Sequence, residues 1–291
     1  MKAVALTVPG KVVLVERPVP APGPSQVRLR VTAAGMCMTD KHIYHGHFPV
    51  PVPRVLGHEI AGTVEALGTG VPSEWLGRQV GVQPARFCGT CPACRRDTPH
   101  LCANFKCLGN THDGGYAEYT LVNADQLVAM PDLAPQTTIW LEPLACVIQA
   151  LMTALPVDRQ PVMVAGAGTF GRLFTQVLSR HYGIAVGVVD PNQPRLEQAR
   201  AMGAAITWHV PRRGATPDID REIESWFDGG PSLLIETSGQ VTSIERMVRW
   251  AGPGGTVLLF GVTPTDIEMQ IKPAAIFSRG LRLTASAGMT P

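Results

Sequence analysis

Four cysteines fall within fifteen positions of "FCGTCPACRRDTPHLC" (87–102): Cys88, Cys91, Cys94 and Cys102. Thiolates at spacings of three, three and then eight are the donors of a closed tetrahedral zinc site, which leaves no position for a substrate. A redox-active dithiol is the alternative reading of such a cluster. A second, dispersed set has mixed donors. "AGMCMTDKHIYHG" (34–46) holds Cys37, Thr39, Asp40 and His42, "VLGHEIAGTV" (55–64) holds His58 and Glu59, and "WLEPLACVIQA" (140–150) holds Glu142 and Cys146. Taken singly, each is an ordinary core or surface residue. Together they offer thiolate, imidazole and carboxylate, the donor types of a zinc site that keeps one exchangeable position for chemistry.

A third feature is the glycine turn "VAGAGTFG", with Gly166, Gly168 and Gly171 spaced as G-x-G-x-x-G. The pattern is weak alone, but here it follows a buried apolar run and opens a helical one. The first glycine allows the tight turn, the second lets backbone approach a pyrophosphate, and the third permits close packing of helix on strand. Thr169 and Phe170, between the last two glycines, belong to the same expected cofactor site. The next apolar run ends at Asp190, at the usual distance for a carboxylate that accepts from the adenosine ribose hydroxyls. Such a carboxylate repels a 2′-phosphate, so NAD is expected over NADP. Arg195 is near enough in sequence to reach the same ribose.

The elements that must position these residues follow two rhythms. Residues 1–146 are rich in Gly and Pro and carry short apolar runs: "KAVALTV", "KVVLVE", "QVRLRVTAAG", "IAGTVEALG", "GRQVGVQ" and "YAEYTLV". These predict β-strands separated by turns. Over residues 147–291 strand-like and helix-like runs alternate, with six strands, which predicts a doubly wound parallel sheet. "PRRGATPDID" (211–220) is expected to be a mobile surface loop.

Composition narrows the partners. The 291 residues are 45% hydrophobic and 16% charged, with a formal net charge of +2. No basic stripe suggests nucleic acid, and no apolar run is read as long enough to span a membrane. The N-terminus lacks the pattern of a signal peptide. Seven cysteines, four of them clustered, therefore indicate metal binding in a reducing cytoplasm rather than a disulfide framework.

"GMCMTDKH", "GHE", the four-cysteine segment, "DGGYAEY", "EPLAC", "GAGTFG" and "ETSG" occur in this order along the chain. In this combination the sequence resembles the zinc-dependent medium-chain dehydrogenase/reductase family, in its alcohol and polyol dehydrogenase branch. The resemblance implies an α/β protein: a GroES-like catalytic domain (1–146), a Rossmann NAD-binding domain (147–291) and an active site between them. It implies two zincs per chain. Cys37, His58, Glu59 and Glu142 match the catalytic-zinc positions, and Cys88, Cys91, Cys94 and Cys102 match the structural ones. Thr39 matches the hydroxyl that touches the substrate oxygen, His42 the outer end of a proton relay, and Asp40 an orienting partner of His58. Cys146 is expected to pack rather than ligate.

By the same resemblance, a glutamate at 142 points to a polyol, sugar alcohol, cyclitol or amino alcohol, where the simple-alcohol branch has a cysteine. The implied reaction is hydride transfer between a secondary alcohol and NAD. The competing readings are a simple-alcohol or aldehyde reductase using NADP(H), and a non-catalytic relative that binds NAD and zinc. A homo-dimer or homo-tetramer is implied as well. The family pattern continues beyond "LRLTASAGMTP" with helices and a return passage for which this sequence has no match.

Overall fold

The computed structural model describes residues 1–154, 160–214, 216–264 and 267–289. The chain divides into two compact units, Met1–Cys146 with Gly288–Pro291, and Val147–Ala287. Gly288 and Met289 thus group with the first unit rather than the second, and the Met289 side chain is buried. Thr290 and Pro291 lie outside the described residues, as does Ala215 of the expected loop.

In the first unit the strands are β1 (Lys2–Val8), β2 (Lys11–Glu16), β3 (Gln26–Gly35), β4 (Arg54–Val55), β5 (Glu59–Leu67), β6 (Gln79–Val82), β7 (Ala85–Arg86), β8 (Lys106–Cys107), β9 (Tyr119–Asn123) and β10 (Leu127–Ala129). Its short helices are α1 (Met38–Tyr44), α2 (Pro92–Arg95) and α3 (Pro135–Thr138), and α4 (Leu141–Ala154) starts here and continues into the second unit. The main sheet is antiparallel in the order β10-β6-β5-β3-β9, with a smaller sheet β2-β1-β4 and the ribbon β7-β8. Alternation decides which face is buried. In β3, Val27 and Leu29 are wholly buried while Arg28 and Arg30 stay accessible. Val27 and Leu29 pack with Ile60, Val64, Val80, Val82 and Val122. The β3–β5 register sets Gly35 opposite Glu59, which places the end of one strand and the start of the other beside the cysteine of "GMC".

The second unit is the six-stranded parallel sheet that the alternating rhythm predicts. Strands β11 (Val162–Ala165), β12 (Val186–Asp190), β13 (Ile206–His209), β14 (Leu233–Glu236), β15 (Thr256–Leu259) and β16 (Arg282–Ala285) lie in the order β13-β12-β11-β14-β15-β16. That is the doubly wound 3-2-1-4-5-6 order, with the glycine turn after the first strand. The helices are α5 (Thr169–Gln176), running into a π-helical turn at Val177–His181, then α6 (Gln193–Ala201), α7 (Pro217–Trp226), α8 (Val241–Trp250) and α9 (Pro273–Arg279). β11 is buried at all four positions. Phe174 and Leu178 are fully buried on one face, each worth about 1.5–3 kcal/mol.

Three expectations need correction. Residues 211–220 are not one mobile loop. Pro217 at the first turn of α7, with Asp218 and Asp220 close behind, is a favourable helix start. Asp220 accepts from Thr216 Oγ1 (2.9 Å) and Trp250 Nε1 (2.8 Å), and the Arg246 guanidinium donates to the carbonyls of Pro211 and Gly214. Second, among the described residues one helical run, Pro135–Ala154, is long and apolar enough to cross a membrane by length and composition alone. Prolines and polar residues scattered through it hide this in the sequence, and Val147, Ala150 and Leu151 on it are core residues of the second unit. Third, α9 has no place in the sequence reading, because it is only seven residues long.

Candidate active site and metal centres

Cys37 lies between β3 and α1, and its backbone N–H donates to Asp40 Oδ2 (3.0 Å), which reaches back over the first turn of the helix. His58 and Glu59 follow Gly57, where φ is +91°. An added Cβ there would sit 2.6 Å from the Tyr116 ring, so only glycine fits both the backbone angle and the space. Gly35 is required for a second reason: its Cβ would meet Glu59 Oε2 at 1.9 Å. The missing side chain on β3 is the room that the Glu59 carboxylate occupies.

The result is a cluster in which donor atoms of Cys37, His58 and Glu59 all lie within 4.8 Å of one another. His58 and Glu59 are buried and Cys37 is half-buried. Asp40 is buried and braces the cluster. Its Oδ1 stands 3.7 Å from His58 Nδ1 and accepts from Gly57 N–H (3.2 Å), while Tyr116 Oη sits 2.9 Å from its Oδ2. With Nδ1 facing Asp40, His58 keeps Nε2 for a metal, the usual arrangement of a carboxylate-oriented ligand. Thr39 Oγ1 lies 3.6 Å from Cys37 Sγ. His42 is half-buried near the end of α1. Tyr116, which sequence reasoning assigns no role, is the second brace, since its hydroxyl also meets the Gly35 carbonyl at 2.9 Å.

Glu142 stands outside this cluster of three. Its carboxylate is buried at the start of α4, and its Oε1 accepts from Cys146 Sγ (3.3 Å). Its charge is nonetheless felt by both His58 and Glu59. Cys146 is buried against it, and burial followed by the carboxylate's charge raises that thiol's pKa. Cys107 is also held as a thiol: burial raises it to about 12, and its Sγ donates to the Leu108 carbonyl.

The charges around His58 favour positive charge there. Burial alone would lower His58, but the neighbouring Asp40 carboxylate and Cys37 sulfur, with the charge of Glu142, outweigh it and raise it to about 12. Burial and the nearby Glu142 raise Glu59 to about 7 against the pull of His58. Burial likewise raises Glu142, while burial's upward push on Asp40 is outweighed by His58 together with the Cys37 N–H and the Tyr116 hydroxyl, which hold it below its ordinary value. Between about pH 4.5 and 7 the folded metal-free chain therefore holds more proton on Glu59 than the unfolded chain does, and this carboxyl's contribution to stability falls as pH rises through that window. A metal requires the deprotonated ligands. Filling the Cys37 site at pH 7, in protein whose four-cysteine site already holds zinc, is thus expected to expel at least one proton, with His58 and part of Glu59 contributing. The slope of binding enthalpy against buffer ionisation enthalpy measures this, and a zero slope would mean that the ligands of this site are already deprotonated.

The four-cysteine segment is built for a different purpose. The sulfur pairs Cys91–Cys94 and Cys88–Cys102 are 3.5 Å apart, Cys91–Cys102 3.9 Å and Cys88–Cys94 4.0 Å. Zinc–sulfur bonds of about 2.3 Å in a tetrahedron require sulfurs about 3.8 Å apart, so the set fits zinc and is complete with four thiolates. No sulfurs are at bonding distance, and all seven cysteines are free. Backbone N–H groups of Cys88 and Asn104 point at Cys102 Sγ, and that of Cys91 at Cys88 Sγ, each at 3.3 Å. Backbone N–H donation at Thr90, then its hydroxyl, helps lower the Cys88 thiol to about 5.

The glycine turn of the second unit shows a distinct role for each glycine. Gly166 has φ +96°. A Cβ on Gly171 would lie 1.7 Å from the Gly166 carbonyl oxygen, so this glycine lets α5 pack on the turn. A Cβ on Gly168 meets nothing within 4 Å, which leaves open space where a phosphate would approach the start of α5. Asp190 is buried at the end of β12, where Oδ2 accepts from Ala167 N–H (2.7 Å) and Oδ1 from Asn192 N–H (2.8 Å). It therefore ties the glycine turn to the following loop, with each oxygen still able to accept again. Thr169 and Arg195 are exposed. The Phe170 ring meets Phe260 in a tilted pair at 4.9 Å and packs on the core.

Two family models match the chain: the alcohol dehydrogenase GroES-like domain over residues 23–132 and the zinc-binding dehydrogenase over residues 171–291. Among curated relatives, the starvation-sensing protein RspB of Escherichia coli K12 is 33% identical over 97% of this chain and 84% of its own. D-altritol 5-dehydrogenase of Agrobacterium fabrum is 32% identical over 98% and 84%, and L-threonine 3-dehydrogenase of Pyrococcus horikoshii is 32% identical over 95% and 80%. Among solved structures, a zinc-binding dehydrogenase of Sinorhizobium meliloti bound to NADP superposes with a TM-score of 0.91 at 32% identity, covering 100% of this chain and 84% of that one. The Escherichia coli CFT073 rspB alcohol dehydrogenase complexed with NADH gives 0.90 at 30% identity, covering 99% and 84%.

Proposed function

We propose a reaction for this chain from one premise: it belongs to the zinc-dependent medium-chain dehydrogenase/reductase family, as an NAD(P)-dependent oxidoreductase acting on CH–OH donors. The substrate is the secondary alcohol of a polyol, sugar alcohol, cyclitol or amino alcohol, and the preferred acceptor is NAD. One observation carries this reading. Two buried carboxylates, Glu59 and Glu142, accompany Cys37 and His58. Glu59 belongs to the metal cluster, and Glu142, outside the cluster of three, offers its carboxylate to a second hydroxyl or an ammonium next to the reacting carbon. A simple alcohol lacks that group and leaves this buried acceptor unpaired, which discriminates between substrates. The relatives named for D-altritol and L-threonine support the same substrate class.

Cys37, His58 and Glu59 are the residues that would hold the catalytic zinc, with Glu142 beside them outside the cluster, and Cys88, Cys91, Cys94 and Cys102 those for a second, structural one. Zinc would polarise the substrate hydroxyl, and the nicotinamide would supply the hydride acceptor. In this account Thr39 takes the hydroxyl proton. His42, three residues further along α1 and so on the same side of the helix, hands it to water. Asp40 and Tyr116 hold His58 in place. Asp190 supports NAD, because a 2′-phosphate beside its carboxylate would be repelled.

The test is a screen that follows reduced nicotinamide at 340 nm, crossing NAD and NADP with polyols, cyclitols, aminocyclitols, threonine and short alcohols. We expect turnover with NAD and a polyhydroxylated or amino-alcohol substrate. Activity confined to short alcohols with NADP would replace this reading by the simple-alcohol one. Absence of any turnover in zinc-loaded protein that binds NADH would favour a non-catalytic relative.

We also propose a cytoplasmic homo-oligomer, a dimer or tetramer. The reduced cysteines support the compartment. β16 ends the six-stranded sheet, and Phe277 on α9 just before it is 90% exposed, which supports pairing of copies along this edge. Sedimentation velocity at micromolar concentration reads the state directly, and a monomer would remove the proposal.

A further inference from the structure

Glu236 ends β14 and is fully buried, and among the described residues it forms no ion pair. A buried carboxylate without a cation persists only where hydrogen bonds meet it. Here they come from the turn that follows. Oε1 accepts from the Ser238 N–H (3.0 Å) and from the Ser238 hydroxyl, and Oε2 accepts from the Gly239 N–H (2.9 Å). Ser238 Oγ in turn accepts from the Gln240 N–H (3.2 Å), so the carboxylate organises the chain up to the start of α8. The Glu236 carbonyl accepts from the N–H groups of Phe260 (2.9 Å) and Gly261 (2.8 Å), which ties the residues after β15 to the same point. Gly261 has to be a glycine, because an added Cβ would lie 2.8 Å from Glu236 Oε2.

The location gives these bonds a consequence. The order of the parallel sheet reverses between β11 and β14, and open α/β sheets bind ligands beyond the carboxyl ends of their strands at such a reversal. Thr237 spans it. Its hydroxyl lies 2.9 Å from the Ala165 carbonyl and 3.1 Å from the Gly166 carbonyl, on the glycine turn. The glycine turn and Asp190 belong to the first mononucleotide half of the sheet, and the Thr237–Gly239 turn opens the second. Because the Ser238 and Gly239 N–H groups are both directed at Glu236, the turn has carbonyls to spare: those of Thr237 and Ser238 meet no donor among the described residues. A turn with spare acceptors and no spare donors suits ribose hydroxyls and an amide, and it is a poor match for phosphate. We propose that Glu236 is a positioning residue for the dinucleotide: by holding those two N–H groups inward it presents the turn's carbonyls to the second nucleoside, and so sets that half in place. This role rests on dinucleotide binding to the second unit.

The experiment compares two ligands by calorimetry on the full, zinc-loaded chain. NADH fills both halves, whereas ADP carries the adenosine and the pyrophosphate but no second nucleoside. In Glu236→Gln the amide can accept from one N–H group but must turn its own donor toward the other, so the turn cannot keep its shape. We expect NADH affinity to fall about tenfold or more, the loss of one hydrogen bond to a charged group, with ADP affinity unchanged within about twofold. Ser238→Ala removes a hydroxyl at an exposed position and leaves the carboxylate its two N–H donors. It should weaken NADH about threefold and leave ADP unchanged, and it decides the matter by the same ratio if Glu236→Gln does not fold. Equal losses for NADH and ADP would make Glu236 a structural residue only, and unchanged NADH affinity would mean that the turn does not need it. Either result overturns the role. Wild-type protein that binds neither ligand would remove dinucleotide binding itself, and this role with it.

Discussion

Cys37→Ala is expected to abolish turnover while leaving dinucleotide binding nearly intact. The thiol stands between β3 and α1 within 4.8 Å of the His58 and Glu59 donors, so its loss removes one ligand from a cluster of three. The buried His58 and Glu59 then face each other without the sulfur that completes the set. A Lewis acid supplies several kcal/mol to stabilise developing charge on oxygen, and each 1.36 kcal/mol is tenfold in rate, so kcat should fall by about a thousandfold or more. The glycine turn and Asp190 belong to the other compact unit, so quenching of protein fluorescence by NADH should be almost unchanged. A variant that keeps most of its activity would mean that the chemistry lies elsewhere.

Cys102→Ser should fail in the opposite way. Cys102 is buried, and its sulfur accepts two backbone N–H groups while standing 3.5 and 3.9 Å from Cys88 and Cys91. Around it are the four-residue α2, a single 3-10 turn and the loosely paired rings of Phe87 and Phe105, with only Ala93 and Cys102 itself buried among the apolar groups from 87 to 105. Such a segment has too little core to hold its own shape, so metal binding and local folding are one equilibrium. Losing it should cost about 3–5 kcal/mol, which at about 2–4 °C per kcal/mol lowers Tm by about 10 °C. Protease cleavage within 87–105 should become rapid, and one zinc per chain should be lost. Turnover per folded molecule survives, because the Cys37 cluster is untouched. Unchanged protease resistance with one zinc missing would show that the segment is ordered without metal.

Much of the fold is legible as rhythm. β1, β2 and β3 coincide with the runs "KAVALTV", "KVVLVE" and "QVRLRVTAAG", since period-two burial leaves its mark over six or more residues. The two- and three-residue strands β4, β7, β8 and β10 leave none, because alternation cannot be read over so few positions. "REIESWFDGG" reads as a helix, but the first turn of α7 is hidden by Pro217, which reads as a breaker when it follows Arg-Gly-Ala-Thr and is here the first residue of the helix. The site is legible as residue types rather than as geometry. Nothing in "AAG" says that Gly35 vacates the volume for Glu59, and nothing in "GGY" says that Tyr116 braces Asp40 from the far side. Both facts depend on strand register. Glu142 shows the same limit. Its residue type suggests a ligand, while its position outside the cluster of three, with Oε1 turned to Cys146, appears only in three dimensions.

The central claim is that two chemically different metal centres share this chain and that the mixed-donor one does the work. Zinc-edge X-ray absorption on fully loaded protein reads both at once. One sulfur at the Cys37 centre and four at the cysteine segment predict an average of about 2.5 sulfurs per zinc, the remainder being nitrogen and oxygen. An average near four sulfurs would mean that only the cysteine segment binds zinc, and the assignment of chemistry to Cys37, His58 and Glu59 would fall.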